Sequence, residues 1–273
     1  MMPVSLAPDG NQLWRRRTSR AEWLHFVGWA SLVLIVAVAW RVMTQDTIWA
    51  FVSDAPRQAS DIASRMLPPR WSYLNALWKP LWDTLNMATL GTLLAIVMAV
   101  PIAFLAARNT TPSTALIRPV ALLIIVASRS INAIIWALVL VTILGPGVLA
   151  GIFAIAFRSI GFIAKLLYEA IEEIGTEPVE AIRATGASPS QVLAWGVWPQ
   201  ITPAFAGICV FRWDINIREA TVLGLVGAGG IGLNLESSMN VLAWPQVTLI
   251  LIVILVTVVI SEWISAKIRH AII

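Results

Sequence analysis

Charge is scarce in this chain. Asp, Glu, Lys and Arg make up 12% of the 273 residues, while 58% are hydrophobic. A soluble domain carries about 25% charged residues, so too little polar surface is available to cover this apolar content in water, and the chain reads as an integral membrane protein. Cysteine occurs once, as Cys209 inside an apolar run, which excludes an internal disulfide and leaves a packing role. The two histidines, His25 and His270, lie at opposite ends of the sequence. With so few ligands, neither a zinc site nor any other metal site of ordinary spacing is expected. No Gly-x-Ser-x-Gly surrounds Ser188 or Ser190, so no catalytic residue is assigned and an enzyme is not expected. The lysines, Lys79, Lys165 and Lys267, are followed by Pro, Leu and Ile. A phosphate-binding P-loop needs Gly-Lys-Ser/Thr, because the lysine and the hydroxyl hold phosphate and magnesium. Any energy drawn from ATP must therefore come from another polypeptide.

What is present is a series of long apolar runs. Each of them needs about 20 residues to cross a hydrocarbon core of ~30 Å. Six spans are read: residues 24–43, 81–106, 119–144, 148–167, 201–226 and 247–264. A polar segment, 1–23, precedes the first and carries Arg15, Arg16, Arg17 and Arg20; no cleavable leader is expected there. The mixed stretch 44–80 reads as extracytoplasmic or interfacial. Within it, residues 54–66 have an apolar stripe of Ala55, Ala59, Ile62 and Met66, then Pro68 and Pro69, then Trp71, Tyr73 and Trp78 as headgroup-layer aromatics. A docking surface for an external receptor is the other reading of that stretch. Residues 81–273 form the main body.

The sign of the loops orients the spans. Ten of the 19 Lys and Arg fall on one side: Arg15, Arg16, Arg17, Arg20, Arg108, Arg118, Lys165, Arg183, Lys267 and Arg269. Cations collect on the cytoplasmic face, so both termini are expected there. The net charge of +4 is spread along loops and does not read as a nucleic-acid surface.

Between the fourth and fifth spans lies a polar island, Thr176 to Pro199, read as two short helices around a bend. Thr176 is expected to cap the first and Gly186 to end it at positive φ. Ser188-Pro189-Ser190-Gln191 is a capping box with Pro at the first helical position, and the second helix is expected to stop before Pro199. This layout resembles the cytoplasmic EAA loop of permease subunits of bacterial binding-protein-dependent ABC importers. Glu180, Ala181, Gly186 and Pro199 match that pattern at its spacing; Ile182, Gly196 and Trp198 depart from it. The wording EAIRATGAS, through Ala187 and Ser188, with residues 215–232, is most similar to the phosphonate-transport type. The resemblance implies an all-α ABC type I importer permease-like fold of about six transmembrane helices, with cytoplasmic coupling helices between spans four and five. It also implies a dimer of permeases, a dimer of ATP-binding subunits holding ATP and Mg, and an extracytoplasmic substrate-binding protein. Glu180 and Gly186 are the motif's key positions, and Trp195 and Trp198 suit an interface with the ATPase.

Two further features remain. Gly227 to Gly232 matches G-x-G-x-x-G by letter, but it follows an apolar helix and lacks the distant acid of a dinucleotide site; close backbone approach or a turn is expected instead, and no cofactor is assigned to this chain. Charges inside spans are costly and mark a path, a partner or an ion pair. Asp214 and Arg218, four apart, are read as a structural pair. Arg129, Ser130, Asn132, Arg158, Arg212, Asn216 and Glu219 are the candidates for a polar translocation path, the arginines suiting phosphonate oxygens. The alternatives are a membrane scaffold or sensor that uses the same loop to meet a cytosolic partner, and a passive anion channel.

Overall fold

A computed structural model of the chain describes residues 4–6, 12–14 and 19–272. The cluster Arg15, Arg16 and Arg17 lies outside the described residues. The chain divides into two compact units, residues 1–61 and residues 62–273.

In the first part, a two-stranded antiparallel ribbon pairs β1 (Val4–Leu6) with β2 (Gln12–Trp14). Helix α1 (Ser19–Thr44) follows, apolar along its length and long enough to span. Helix α2 (Trp49–Met66) starts five residues earlier than its apolar stripe suggests and runs through Pro56.

The second part is helical throughout the described residues. A 3₁₀ turn at Trp71–Tyr73 leads into α3 (Leu74–Ala106). The residues read as interfacial before Leu81 are thus already helical. At 1.5 Å per residue, α3 reaches about 50 Å, longer than a hydrocarbon layer is thick, and its first turns carry the exposed Trp78 and Trp82. Next come α4 (Ile117–Ser130) and α5 (Ala133–Leu144), which the sequence presents as a single span. They meet at 89°. The break has a local cause: Ile131 is extended, and the Asn132 side chain caps α5 by accepting from Ile134 N. An Asx cap competes with continued helix. Helix α6 (Val148–Glu172) runs five residues past the apolar run and is the central element.

Small residues let the helices meet closely, as is usual where lipid offers no competing hydrophobic drive. Ala95, Ala99, Ala103 and Ala106 of α3 recur at helical spacing and bury against Ile163, Ala164, Leu167 and Ile171 of α6. Gly91 faces Ile155, and Gly151 faces Met87. Gly161 is the tightest point between α4 and α6: a Cβ there would come within 2.6 Å of the Ile125 carbonyl.

The remaining elements are α7 (Thr176–Ala184), α8 (Pro189–Val192), α9 (Trp198–Leu223), α10 (Ile231–Asn240) and α11 (Trp244–Ile272). The polar stretch 234–240 before Trp244 falls on α10. Five described helices, or six when the bent pair counts as one span, are long and apolar enough to cross a membrane. Apart from the short ribbon β1–β2, the all-helical, roughly six-span fold expected from the sequence is the fold observed.

Candidate functional site

Two polar features stand out against the apolar body. One is the elbow after α6. Its base is tied down by the loop after α3: the Arg108 amide donates to Glu172 (2.8 Å), Asn109 Nδ2 to the Ile171 carbonyl (2.5 Å), and Arg118 pairs with Glu172 at 3.5 Å. Helix α7 begins at Thr176, so Thr176 is its first helical residue and Gly175 holds the cap position. No side chain caps that end. Instead the Gly175 amide donates to Gln200 Oε1 (3.2 Å), and Gln200 Nε2 donates to the Gly196 carbonyl (2.6 Å), a clasp from α9 that the sequence does not announce.

Gly186 has φ +81, the left-handed conformation expected of it. The Ser188 capping box is formed, its amide donating to Gln191 Oε1 at 2.8 Å. The second elbow helix does not stop before Pro199. It passes through a π turn, Leu193–Val197, directly into α9. Pro199 falls in the first turn of α9, where its missing N–H leaves no hydrogen bond unmade, so the stop signal read from it is overridden. Gly196, in the position where the resembled pattern has Ile, is buried against Val179 and allows α7 to close on the π turn. Trp195 is 72% exposed, whereas Trp198 turns inward between Phe104 and Phe205, with ring centroids 6.3 and 5.4 Å away. The two tryptophans, grouped from sequence as interface residues, thus face opposite ways. Glu180, Ala181, Ser188 and Pro199 are exposed and Ala187 is half-buried. The concave side of the elbow is a cavity of about 650 Å³ that includes Thr176, Glu180, Arg183 and Ala187.

The other feature is inside the bundle. Arg129 at the end of α4, Arg158 on α6 and Arg212 on α9 bring their guanidinium carbons to 5.0, 5.7 and 4.6 Å from the centre of a single ring, Phe162. Cations over an aromatic face are stabilised by its quadrupole, more so when desolvated. Arg212 is buried. Its Nε donates to Ser159 Oγ (3.0 Å), Ser159 donates to Asn216 Oδ1 (3.0 Å), and Asn216 Nδ2 donates to Thr92 Oγ1 (2.7 Å). This chain of hydrogen bonds crosses α9, α6 and α3. Glu219 sits between two arginines, with both carboxylate oxygens 3.3 Å from Arg212 Nη2 and one 3.5 Å from Arg158 Nε. Arg158 Nη1 also donates to Asn132 Oδ1 (2.9 Å), so the residue that breaks the α4–α5 span is part of the cluster. A cavity of about 680 Å³ opens alongside, lined among others by Asn132, Arg158, Arg218 and Glu219. Non-helical backbone at membrane depth is tolerated where it is buried in protein or lines such a cavity.

Of the path candidates, Arg129, Asn132, Arg158, Arg212, Asn216 and Glu219 therefore converge. Ser130 turns back to the Val126 carbonyl and is exposed. Asp214 and Arg218 form a separate ion pair, and Asp214 also accepts from Ser261 of α11 (2.9 Å). Sequence reasoning missed Phe162, Ser159 and Thr92. Phe162 follows Arg158 by four on one helix, which is a signal in itself; its approach to Arg129 and Arg212 is a property of the packing.

A body of apolar helices with a buried cationic cluster and a polar elbow defines a membrane transport component. The family described as binding-protein-dependent transport system inner membrane component matches residues 99–270, and the chain belongs to that family. Among its relatives is the phosphite transport system permease protein PtxC of Stutzerimonas stutzeri, 38% identical over 249 residues that cover 90% of each chain. The phosphate-import permease protein PhnE of Mycolicibacterium smegmatis is 41% identical over 81% of this chain and 43% of that protein. The solved structure of the MetNI methionine ABC transporter in an inward-facing conformation shares the fold, with TM-score 0.65 and 23% identity over 75% of this chain and 99% of that one. The chain is thus a multi-pass inner-membrane transport component.

Proposed function

We propose that this chain is the permease subunit of an ATP-driven importer that moves phosphite, phosphonate or a related phosphorus oxyanion inward by alternating access. The convergence of Arg129, Arg158 and Arg212 within the spanning region carries the reading, because planar guanidinium forks match the oxygens of such anions. The names of its relatives support the same substrate class. Asn132 and Glu219 supply polar lining of the path, Asn216 steadies Arg212 through Ser159, Ser130 stands outside the cluster, and the Asp214–Arg218 pair holds α9 as a structural ion pair.

A separate pair of ATPase subunits binds ATP and Mg and grips the elbow through Glu180, Ala181, Gly186, Ala187, Ser188, Trp195 and Pro199. Trp198 braces the elbow from behind, against α3 and α9. A second copy of this chain completes the permease, an extracytoplasmic binding protein delivers substrate, and both termini face the cytoplasm. The cation-rich loops and the exposed, polar elbow support that orientation.

The test is co-purification of the ATPase together with uptake in proteoliposomes. Glu180→Arg reverses a charge on the gripped face, and Gly186→Pro forces φ near −65° where the bend uses +81. Each is expected to lower ATPase recovery and to cut ATP-dependent uptake about tenfold or more, a loss of ~1.4 kcal/mol of coupling. Survival of both partner binding and uptake in both variants rules the coupling role out and favours a scaffold. Anion flux without ATP or binding protein favours a passive channel.

A further inference from the structure

Glu219 sits between two of the cluster's arginines. It lies on α9, two turns after Arg212 and on the same face, half-buried at the edge of the 680 Å³ cavity. Its carboxylate is shared between Arg212 and Arg158, and the sharing is incomplete. Arg158 Nε is 3.5 Å away, and this buried N–H has no hydrogen-bond acceptor. Among the described residues no carboxylate pairs with Arg129, whose guanidinium rests on Phe162. Three guanidinium groups thus gather at one phenyl ring with a single carboxylate between two of them, and one buried donor, Arg158 Nε, is left without an acceptor.

We propose that Glu219 is a resident counter-ion, which satisfies the arginines when no substrate is bound and is displaced by a tetrahedral oxyanion carrying two negative charges. The inference rests on the reading of this cluster as the substrate path, and it deepens that reading by naming the charge class and the competitor. Exchanging Glu219 for a monoanion leaves the charge balance at the arginines as it was, whereas a dianion sets one further negative charge against them. The competitor also has a use. Guanidinium groups with no resident anion would hold a dianion tightly, and conduction needs binding weak enough to leave. Displacing a carboxylate that already makes charge-assisted contacts subtracts from the substrate's affinity.

The experiment uses the permease–ATPase complex in nanodiscs without binding protein, titrated with phosphite and with methylphosphonate and followed by ³¹P line broadening. Glu219→Gln keeps the shape and an acceptor oxygen but removes the charge. It is expected to tighten binding of both anions about tenfold and to slow uptake by the complete importer. Glu219→Asp is expected to return both quantities towards wild type. Unchanged or weaker binding in an assembled Glu219→Gln complex overturns the proposal. Should that variant fail to assemble, the unaltered complex decides: the monomethyl ester of methylphosphonate, which stays a monoanion, is expected to bind about tenfold or more weakly than methylphosphonate at a pH where the latter is a dianion, and equal binding overturns the proposal. Failure of the substrate reading itself is seen separately, as a wild-type importer that takes up neither anion.

Discussion

Arg212→Met is expected to lower phosphite uptake to less than about a hundredth of wild type, because breaking a buried ion pair from one side costs ~3–5 kcal/mol. Arg212 is the most deeply placed charge in the cluster. It pairs with Glu219, donates to Ser159, and lies 4.6 Å from the Phe162 centre. Removing it strands the Glu219 carboxylate with one distant partner and leaves Ser159 without its donor. That outcome alone does not separate a structural role from a functional one. The double variant Arg212→Met with Glu219→Gln does, since it removes both charges and leaves no carboxylate stranded in the cluster. Its expected behaviour is recovery of assembly and thermal stability towards wild type, with uptake still depressed. Recovery of uptake along with assembly would reduce Arg212 to an ion pair that merely lets α9 insert. The measurements are size-exclusion profile, melting temperature and initial uptake rate in the same preparation.

How much of this was legible in the sequence depends on the range of the interaction concerned. Features set by near neighbours could be read directly. The Ser188–Gln191 box, the positive φ of Gly186 and the Asp214–Arg218 pair each depend on residues within four positions. The apolar runs gave the spans, since the bilayer's thickness fixes their length. Features set by packing were partly hidden. The 89° break at Asn132 lies in a run whose hydropathy looks continuous, and only the polar run Ser128–Arg129–Ser130 before it hinted at a cap. Pro199 read as a stop because proline ends helices from within, yet here it enters at the first turn of α9, fed by a π turn that no local pattern predicts. The arginines could be picked out one by one from the cost of burying charge. That three of them share Phe162 requires α4, α6 and α9 to meet, and that meeting depends on Gly161, which lets α4 approach α6 at the height of Ser128 and Arg129.

Glycine also carries the second large effect, at the other end of α9. Gly224→Ala is expected to prevent normal assembly. A Cβ at 224 would lie 2.5 Å from the Leu233 amide nitrogen, 2.6 Å from the Gly229 carbonyl oxygen and 2.6 Å from Gly232 Cα. All three are backbone atoms, so no side chain can swing aside, and overpacking of this kind costs ~1–3 kcal/mol or more. Gly232 answers from the first turn of α10, its own Cβ position meeting the Thr221 carbonyl and the Gly224 backbone. The turn between them uses positive φ at Gly227, Gly229 and Gly230, and the Ile231 amide that starts α10 donates to Thr84 Oγ1 of α3 (2.8 Å). The run that spells a dinucleotide motif by letter is therefore a backbone-to-backbone contact that folds α10 onto α9 and pins it to α3. The expected result for Gly224→Ala is a melting temperature several degrees lower and a large loss of monodisperse protein, with uptake lost in proportion to what assembles. Gly207→Ala, on the same helix with nothing within 4 Å of its Cβ position, is the control and is expected to be neutral or stabilising by up to about 1 kcal/mol from helix propensity. Equal behaviour of the two variants would mean that the close approach of α10 to α9 is not required, and with it the placement of the α9 carboxylates and arginines against α6.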